Sequence, residues 1–317
     1  MADDRVAARP HDRGGDLAPP GARERRRSRV STGGRARREG RAGIRHRRAR
    51  GRRLSEIQPY TALVLAGRRG GDDPLASSRG ASHRALLPVA GVPMIARVLT
   101  ALRGARHVAR IWVSIDAPEL LASVPELAPF SDLPVHRSLG SPARSVAAAL
   151  DAIGDERVLV TTADHALLSG GRVDRFLEDA AATGADVAVG VVEKSAFADA
   201  DATAARTWIK LRCGSYTGAN LFAFQHARAR NAAEFFARAE RHRKKPWRMA
   251  AALGPTLAIE YLAGALDLDT ACKQISNRAG AKIRPVLLQE AAAAIDVDKA
   301  ADLDLAEKIL AGESSGG

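Results

Sequence analysis

The sequence predicts an α/β protein built on a mainly parallel sheet. Three observations carry that expectation. Short apolar runs alternate with helical stretches from Tyr60 onward, as they do when strands and crossover helices take turns. The first run, Ala62 to Ala66, is apolar throughout, like a strand buried on both faces. It runs directly into a glycine-rich turn, Gly67-Arg68-Arg69-Gly70-Gly71. Glycine there admits positive φ and lets backbone N–H groups approach an anion, while arginine adds bidentate phosphate donors.

The elements follow in order. After a spacer, His83-Arg84 leads into the apolar run Ala85 to Val89, and Gly91-Val92-Pro93 opens a helix to Leu102 with proline in its first turn. Val108 to Ile115 is a second strand. A proline-rich connection and a short strand near Val135 come next. Ser141 to Ile153 reads as a helix, Arg157 to Thr162 as the third long strand, Gly170 to Ala182 as a helix and Asp186 to Val192 as a strand. Residues 194–205 are small and polar, as in a loop. Thr207 to Cys213 and Asn220 to Phe224 read as two strands around a glycine-containing turn. A helix-rich segment spans about 225–280, Lys282 to Leu288 is a last strand, and Ala300 to Leu310 is a closing helix with a frayed end from Gly312. No internal repeat is visible.

Charge divides the chain. Of the formal +13, residues 1–53 carry +12, with 18 arginines, no lysine and six acidic residues, leaving +1 for residues 54–317. Residues 1–56 therefore read as a disordered Arg-rich tail ahead of one domain, 57–312. The tail is either an electrostatic arm for nucleic acid or acidic surfaces, or an extension without function from a start placed too far upstream. The nearly neutral remainder argues against a nucleic-acid binder as a whole. The apolar fraction of 46% suits a globular core. Two cysteines, Cys213 and Cys272, lack metal-ligand spacing and point to a reducing, cytoplasmic setting. No apolar run approaches the ~18 residues of a membrane span, and the N-terminus lacks the apolar core of a signal peptide. Oligomeric state is not readable.

Four stretches carry candidate chemistry. The first is the loop from Gly67 to Arg84, a phosphate cradle, although such glycines also make plain surface turns. The second is Gly140-Ser141-Pro142-Ala143-Arg144-Ser145-Val146, at a helix start that attracts anions or is simply capped by Ser141. The third is Asp164, just past an apolar strand, where open parallel sheets bind ligands; its neighbour His165 is given no catalytic role. The fourth is Ile295-Asp296-Val297-Asp298, with Asp302 at the start of the closing helix, where a negative charge suits the helix dipole.

Taken together, Leu65-Ala66-Gly67, then Arg84-Ala85-Leu86, then Gly91-Val92-Pro93-Met94 resemble the MobA-like and sugar-phosphate nucleotidyltransferase superfamily. Its pattern is L-A-G-G, then K-x-L, then G-x-P. Arg68 stands where the second glycine is usual, and Arg84 replaces the phosphate-contacting lysine. The resemblance implies a Rossmann-like, GT-A type domain that transfers a nucleotidyl group from an NTP to a phosphorylated small-molecule acceptor. It implies nucleotide binding by Leu65, Ala66, Gly67, Arg68, Arg69, Gly70, Arg84 and Ser145. It implies Mg²⁺ held by Asp164 and Asp298, and catalytic roles for Arg84 and Asp164. Arg144-Ser145-Val146 resembles a cytidylyltransferase element and favours CTP, with GTP next. Tyr216 to Phe222 resembles the strand beside the acceptor pocket, which places Asn220 there. The basic cluster Arg241 to Trp247 supplies Lys245 as a further acceptor contact. Alternatives are a degenerate NTP-binding or regulatory protein and a glycosyltransferase of the same fold. The latter usually carries D-x-D, which Asp164 does not complete.

Overall fold

The computed structural model describes residues 57–68, 73–154, 157–197, 206–241 and 254–314. The expected tail 1–56 lies outside them, as do Arg69, Gly70 and Lys245. Among the described residues, seven strands form a path to which an eighth is appended. They are β1 (Tyr60–Leu65), β4 (Val108–Ile115), β5 (Val135–Arg137), β6 (Val158–Thr162), β7 (Val187–Glu193), β8 (Ile209–Leu211), β9 (Gly214–Phe224) and β10 (Ile283–Leu288). The order is β10-β7-β9-β6-β1-β4-β5, with β8 on β9. Pairs β1–β4, β1–β6, β4–β5 and β7–β10 are parallel, whereas β9 runs antiparallel between β6 and β7. The sheet is thus mixed and mainly parallel, and the carboxyl ends of β1, β4, β5 and β6 share one rim.

Alternation along β1 explains the layers. Tyr60, Ala62 and Val64 join a core with α2 (Met94–Arg103), α4 (Gly170–Ala182) and α8 (Ala300–Ser314). Leu63 faces the opposite core, made with α3 (Pro142–Ile153), α5 (Ala229–Glu240) and α7 (Leu268–Ala279). A strand buried on both faces has no polar side to show, hence its continuous apolar run.

Four details differ from the sequence expectation. A short helix, α1 (Pro74–Ser78), interrupts the loop after β1, capped by Asp73, whose carboxylate accepts from the N–H groups of Leu75 and Ala76. Gly91-Val92-Pro93 does not open a helix. Pro88–Val89 (β2) and Val92–Pro93 (β3) form a hairpin around Ala90-Gly91, both at positive φ, and α2 begins at Met94. Two adjacent residues at positive φ match the twist of a tight hairpin. Strand β9 is longer than expected, starting at Gly214, and β8 is shorter. The helix-rich stretch contains α5, α6 (Pro255–Leu262) and α7 among its described residues. No helix of the described residues is long and apolar enough to cross a membrane.

Helices α2 and α4 meet where Gly170 starts α4. A Cβ there would lie 2.9 Å from the Gly104 carbonyl oxygen, backbone that cannot swing aside. Gly170→Ala is expected to cost about 1–3 kcal/mol in urea unfolding, as overpacking does. Gly171→Ala, whose new methyl meets only the end of Arg175 at 3.7 Å, should stay close to wild type. Equal effects at the two positions would contradict this packing.

Candidate nucleotide and metal site

A cleft of about 670 Å³ opens at the carboxyl rim of the sheet. It is lined by the end of β1, Leu65-Ala66-Gly67-Arg68, together with Arg84, Asp164 and Asp298. The ladder continues past the strands to hold the end of β1. Ala66 N–H donates to Ser114 O at 2.8 Å, and Ala163 N–H donates to Leu65 O at 2.9 Å. Gly67 is required by close approach: a Cβ would come 2.3 Å from Ser138 Oγ, on the loop after β5.

Asp164 lies two residues past the end of β6. Its Oδ1 accepts from Thr162 Oγ1 at 2.5 Å. Its carbonyl accepts from Val297 N–H at 3.0 Å, which ties the 295–298 segment to the end of β6 across the chain. Burial, with the charge of Asp298 adding to it, pushes the Asp164 carboxyl above its ordinary range; the Thr162 hydroxyl and Arg84 oppose the shift. Asp296 is pushed up to about 8, first by burial and then by Asp164, against Arg206 and a hydrogen bond from Asn220. Asp298 is 77% exposed at the cleft. Three carboxylates therefore sense one another's charge here.

Arg84 is the cation among them. Its Nη1 donates to Asp73 Oδ2 at 2.7 Å, and its Nη2 donates to Val297 O at 2.5 Å and Asp298 Oδ1 at 3.3 Å. Burial alone would raise Asp73, but Arg84 and the two α1 N–H groups outweigh it and hold that carboxyl low. On the far side, Arg206 donates to Asp302 Oδ1 at 2.5 Å and to Ala294 O at 3.1 Å, both side chains nearly buried. Asp302 Oδ2 accepts from the N–H groups of Asp298 and Lys299 at 3.1 Å, the reach-back half of a capping box at the start of α8. That bond sets the backbone from which the Asp298 carboxylate projects.

The other expected residues take varied places. Leu65, Ala66, Gly67 and Arg68 line the cleft. The Arg68 guanidinium, however, is engaged with Asp116 at 3.0 Å. Ser145 is buried, and its hydroxyl accepts from Leu139 N–H at 2.9 Å, bracing the loop that enters α3. The α3 N-terminus already holds a carboxylate: Glu240 of α5 accepts from Ser141 Oγ and, at 3.1 Å, from Ala143 N–H. Asn220 sits at φ 47° in an irregularity of the β7–β9 ladder, a conformation asparagine tolerates well, and its side chain bonds Asp296. Arg69, Gly70 and Lys245 fall outside the described residues. Sequence reasoning missed Asp73, His83, Asp116, Arg206 and Glu240. Asp116 had a signal: like Asp164, it is the first acid past an apolar strand.

The chain belongs to the MobA-like NTP transferase domain family, whose model matches residues 62–258. It is similar to a hypothetical transferase structure from Thermus thermophilus, at 28% identity and a TM-score of 0.64, over 78% of this chain and 100% of that one. It shares its fold with CMP:2-keto-3-deoxy-manno-octonic acid synthetase complexed with CTP, at 15% identity and a TM-score of 0.52, over 80% of this chain and 99% of that one. No curated protein matches it.

His165, next to Asp164, is fully buried, with the Ala292 backbone as the one polar group that opposes the loss of its proton. Burial, helped by Arg172, lowers its pKa from 6.5 to about 4. An unfolded histidine takes up a proton near pH 6.5 that the folded one refuses until about pH 4. Its contribution to stability is complete above pH 6.5 and is lost as pH falls toward 4. His165→Leu should therefore flatten the fall in melting temperature between pH 7 and pH 5. An unchanged slope would show that another group is responsible.

Proposed function

We propose that this nucleotidyltransferase is Mg²⁺-dependent and couples an NTP, CTP before GTP, to a phosphorylated small-molecule acceptor. The observation that carries this reading is the pair Asp164 and Asp298. They come from distant parts of the chain and face one cleft with the Gly67 turn and Arg84.

The donor set fits a hard divalent cation. Among the described residues, no three His, Cys, Asp or Glu side chains converge to cage a metal unaided. Mg²⁺ usually takes one or two carboxylates and completes its shell with water and substrate phosphates, so two aspartates suffice. The cost of crowding Asp164 against Asp298 is relieved by a cation, and Arg84 already touches Asp298 and Val297 O as a cation does. Asp164 and Asp298 would hold Mg²⁺, which when bound would supply charge neutralisation for the phosphates.

The chain's own residues do the rest. The backbone N–H of Gly67 is the main-chain donor offered to the phosphates, the Arg68 N–H being already given to Asp116. Arg84 stabilises negative charge on the β- and γ-phosphates. An acceptor phosphate oxygen attacks the α-phosphorus, a new P–O bond forms, the α–β bridging P–O bond breaks, and pyrophosphate leaves with its electron pair. Such transfer needs positioning and electrostatics rather than a covalent enzyme nucleophile. Preference for CTP rests on the Arg144-Ser145-Val146 resemblance at the start of α3. An acceptor role for Asn220 rests likewise on the resemblance of the stretch Tyr216 to Phe222.

A second reading, an NTP-binding protein that does not transfer, is favoured by one observation: Arg84 is already paired with Asp73 and Asp298. Steady pyrophosphate release with any phosphorylated acceptor excludes it.

Two outcomes test the proposal. CTP or GTP should raise the melting temperature of the full chain only with Mg²⁺, by the equivalent of ~2.7 kcal/mol at 100 times its Kd. Stabilisation that ignores Mg²⁺, or none by any NTP, contradicts it. Asp164→Ala and Asp298→Ala should each abolish Mg²⁺-dependent turnover while far-ultraviolet circular dichroism stays native. A variant that keeps near-normal turnover removes that residue from the metal site.

A further inference from the structure

The chain leaves the carboxyl end of β1 at Arg68 and returns to the cleft at His83, just before Arg84. Both ends of this loop grip the same carboxylate, Asp116, the first residue after β4. Arg68 donates its main-chain N–H to Asp116 Oδ1 at 3.0 Å and its Nε–H to Oδ2 at 3.0 Å. His83 Nε2 lies 3.1 Å from Asp116 Oδ1. The histidine's tautomer follows from its other nitrogen. His83 Nδ1 accepts from Ala85 N–H at 3.0 Å, so it carries the lone pair, and the ring proton sits on Nε2 facing Asp116. The His83 side chain is 1% exposed. Burial pushes Asp116 upward, but the Arg68 and His83 donors outweigh it and hold the carboxyl well below the usual range.

We propose that Asp116 is the clasp of the nucleotide loop, a positioning residue that sets NTP affinity rather than the rate of transfer. This rests on the NTP reading of the cleft. Asp116 does not itself line the cleft, whereas Arg68 and Arg84 do. It acts on the first through two direct bonds. It acts on the second through His83, which passes the constraint to Ala85 inside the turn Arg84–Leu86. A loop tied at both ends before ligand arrives loses less entropy on binding, and this favours affinity without touching the transition state. The same bonds account for an arginine where the resemblance has glycine. The Arg68 guanidinium is turned onto Asp116, and its charge balances a carboxylate at the rim.

The test uses the full chain with three variants, Asp116→Asn, Arg68→Gly and the double substitution. Binding of CTP and of GTP, each with Mg²⁺, is measured by calorimetry, and amide hydrogen exchange is measured without nucleotide. Asp116→Asn is nearly isosteric and should fold, so the test does not depend on the harsher Asp116→Ala. It should weaken the better-bound nucleotide by about ten- to a hundredfold, the worth of a charge-assisted bond. The double variant should bind little worse than Asp116→Asn alone, because both substitutions break the same contact. Exchange at the Arg68 and Ala85 amides should speed up. In any turnover assay, KM for the NTP should rise while kcat holds. Affinity within twofold of wild type, additive losses or unchanged exchange would each overturn the clasp. If the unsubstituted chain binds neither nucleotide, the NTP reading fails and takes the affinity role with it, while faster exchange at Arg68 and Ala85 would still establish the tether.

Discussion

The structure depends on a group of carboxylates drawn from distant parts of the chain, whose closeness and burial make Asp164 and Asp296 harder to ionise. Asp164, Asp296 and Asp298 gather at the end of β6; the first two are largely buried, where little water screens their mutual effect, and Asp298 is exposed at the cleft. Nothing in local structure favours this. What enforces it is a backbone bond, Val297 N–H to Asp164 O, with Arg84 on one side and Arg206 on the other. The two arginines have different tasks. Arg206 is buried with Asp302 and fixes the frame. Arg84 is partly exposed, shares itself among Asp73, Val297 O and Asp298, and is the one free to exchange partners when other charge enters the cleft.

The fold serves this gathering. Parallel strands bring the loops after β1, β4, β5 and β6 to one rim, where the site residues of three of them meet without any change in the sheet. The antiparallel β9 then delivers Asn220 to Asp296 through a local irregularity rather than a loop. The capping of α8 by Asp302 is structural, yet it fixes the backbone of Asp298 and so belongs to the site as much as to the helix.

The parts legible in the sequence were those where one local pattern has one physical solution. The runs forming β1, β4 and β6 are apolar and bounded, so strand type and position could be read directly. Asp164 was legible as a candidate because it lies just past an apolar strand, and Asp298 only through the family resemblance of its stretch. Asp302 was legible as a helix-start acid, and it sits there. The hairpin at Pro88–Pro93 was not, because Gly91-Val92-Pro93 also suits a helix start, and only the pairing with Pro88-Val89 decides. Ser145 and Glu240 show the deeper limit. Whether a hydroxyl at a helix start meets a ligand or its own chain depends on residues far away, here Leu139 N–H for Ser145 and the α3 N-terminus for Glu240. Asp116 obeys the same strand-end logic as Asp164, but its partners, Arg68 and His83, lie 48 and 33 residues distant.

The most direct measurement is a crystal structure of the full chain with Mg²⁺ and a non-hydrolysable analogue of CTP or GTP. The account predicts a metal ion between Asp164 and Asp298, triphosphate over Gly67, and the Arg84 guanidinium moved from Asp298 onto phosphate. A nucleotide seated away from the β1 turn, or a metal that ignores both aspartates, would contradict it.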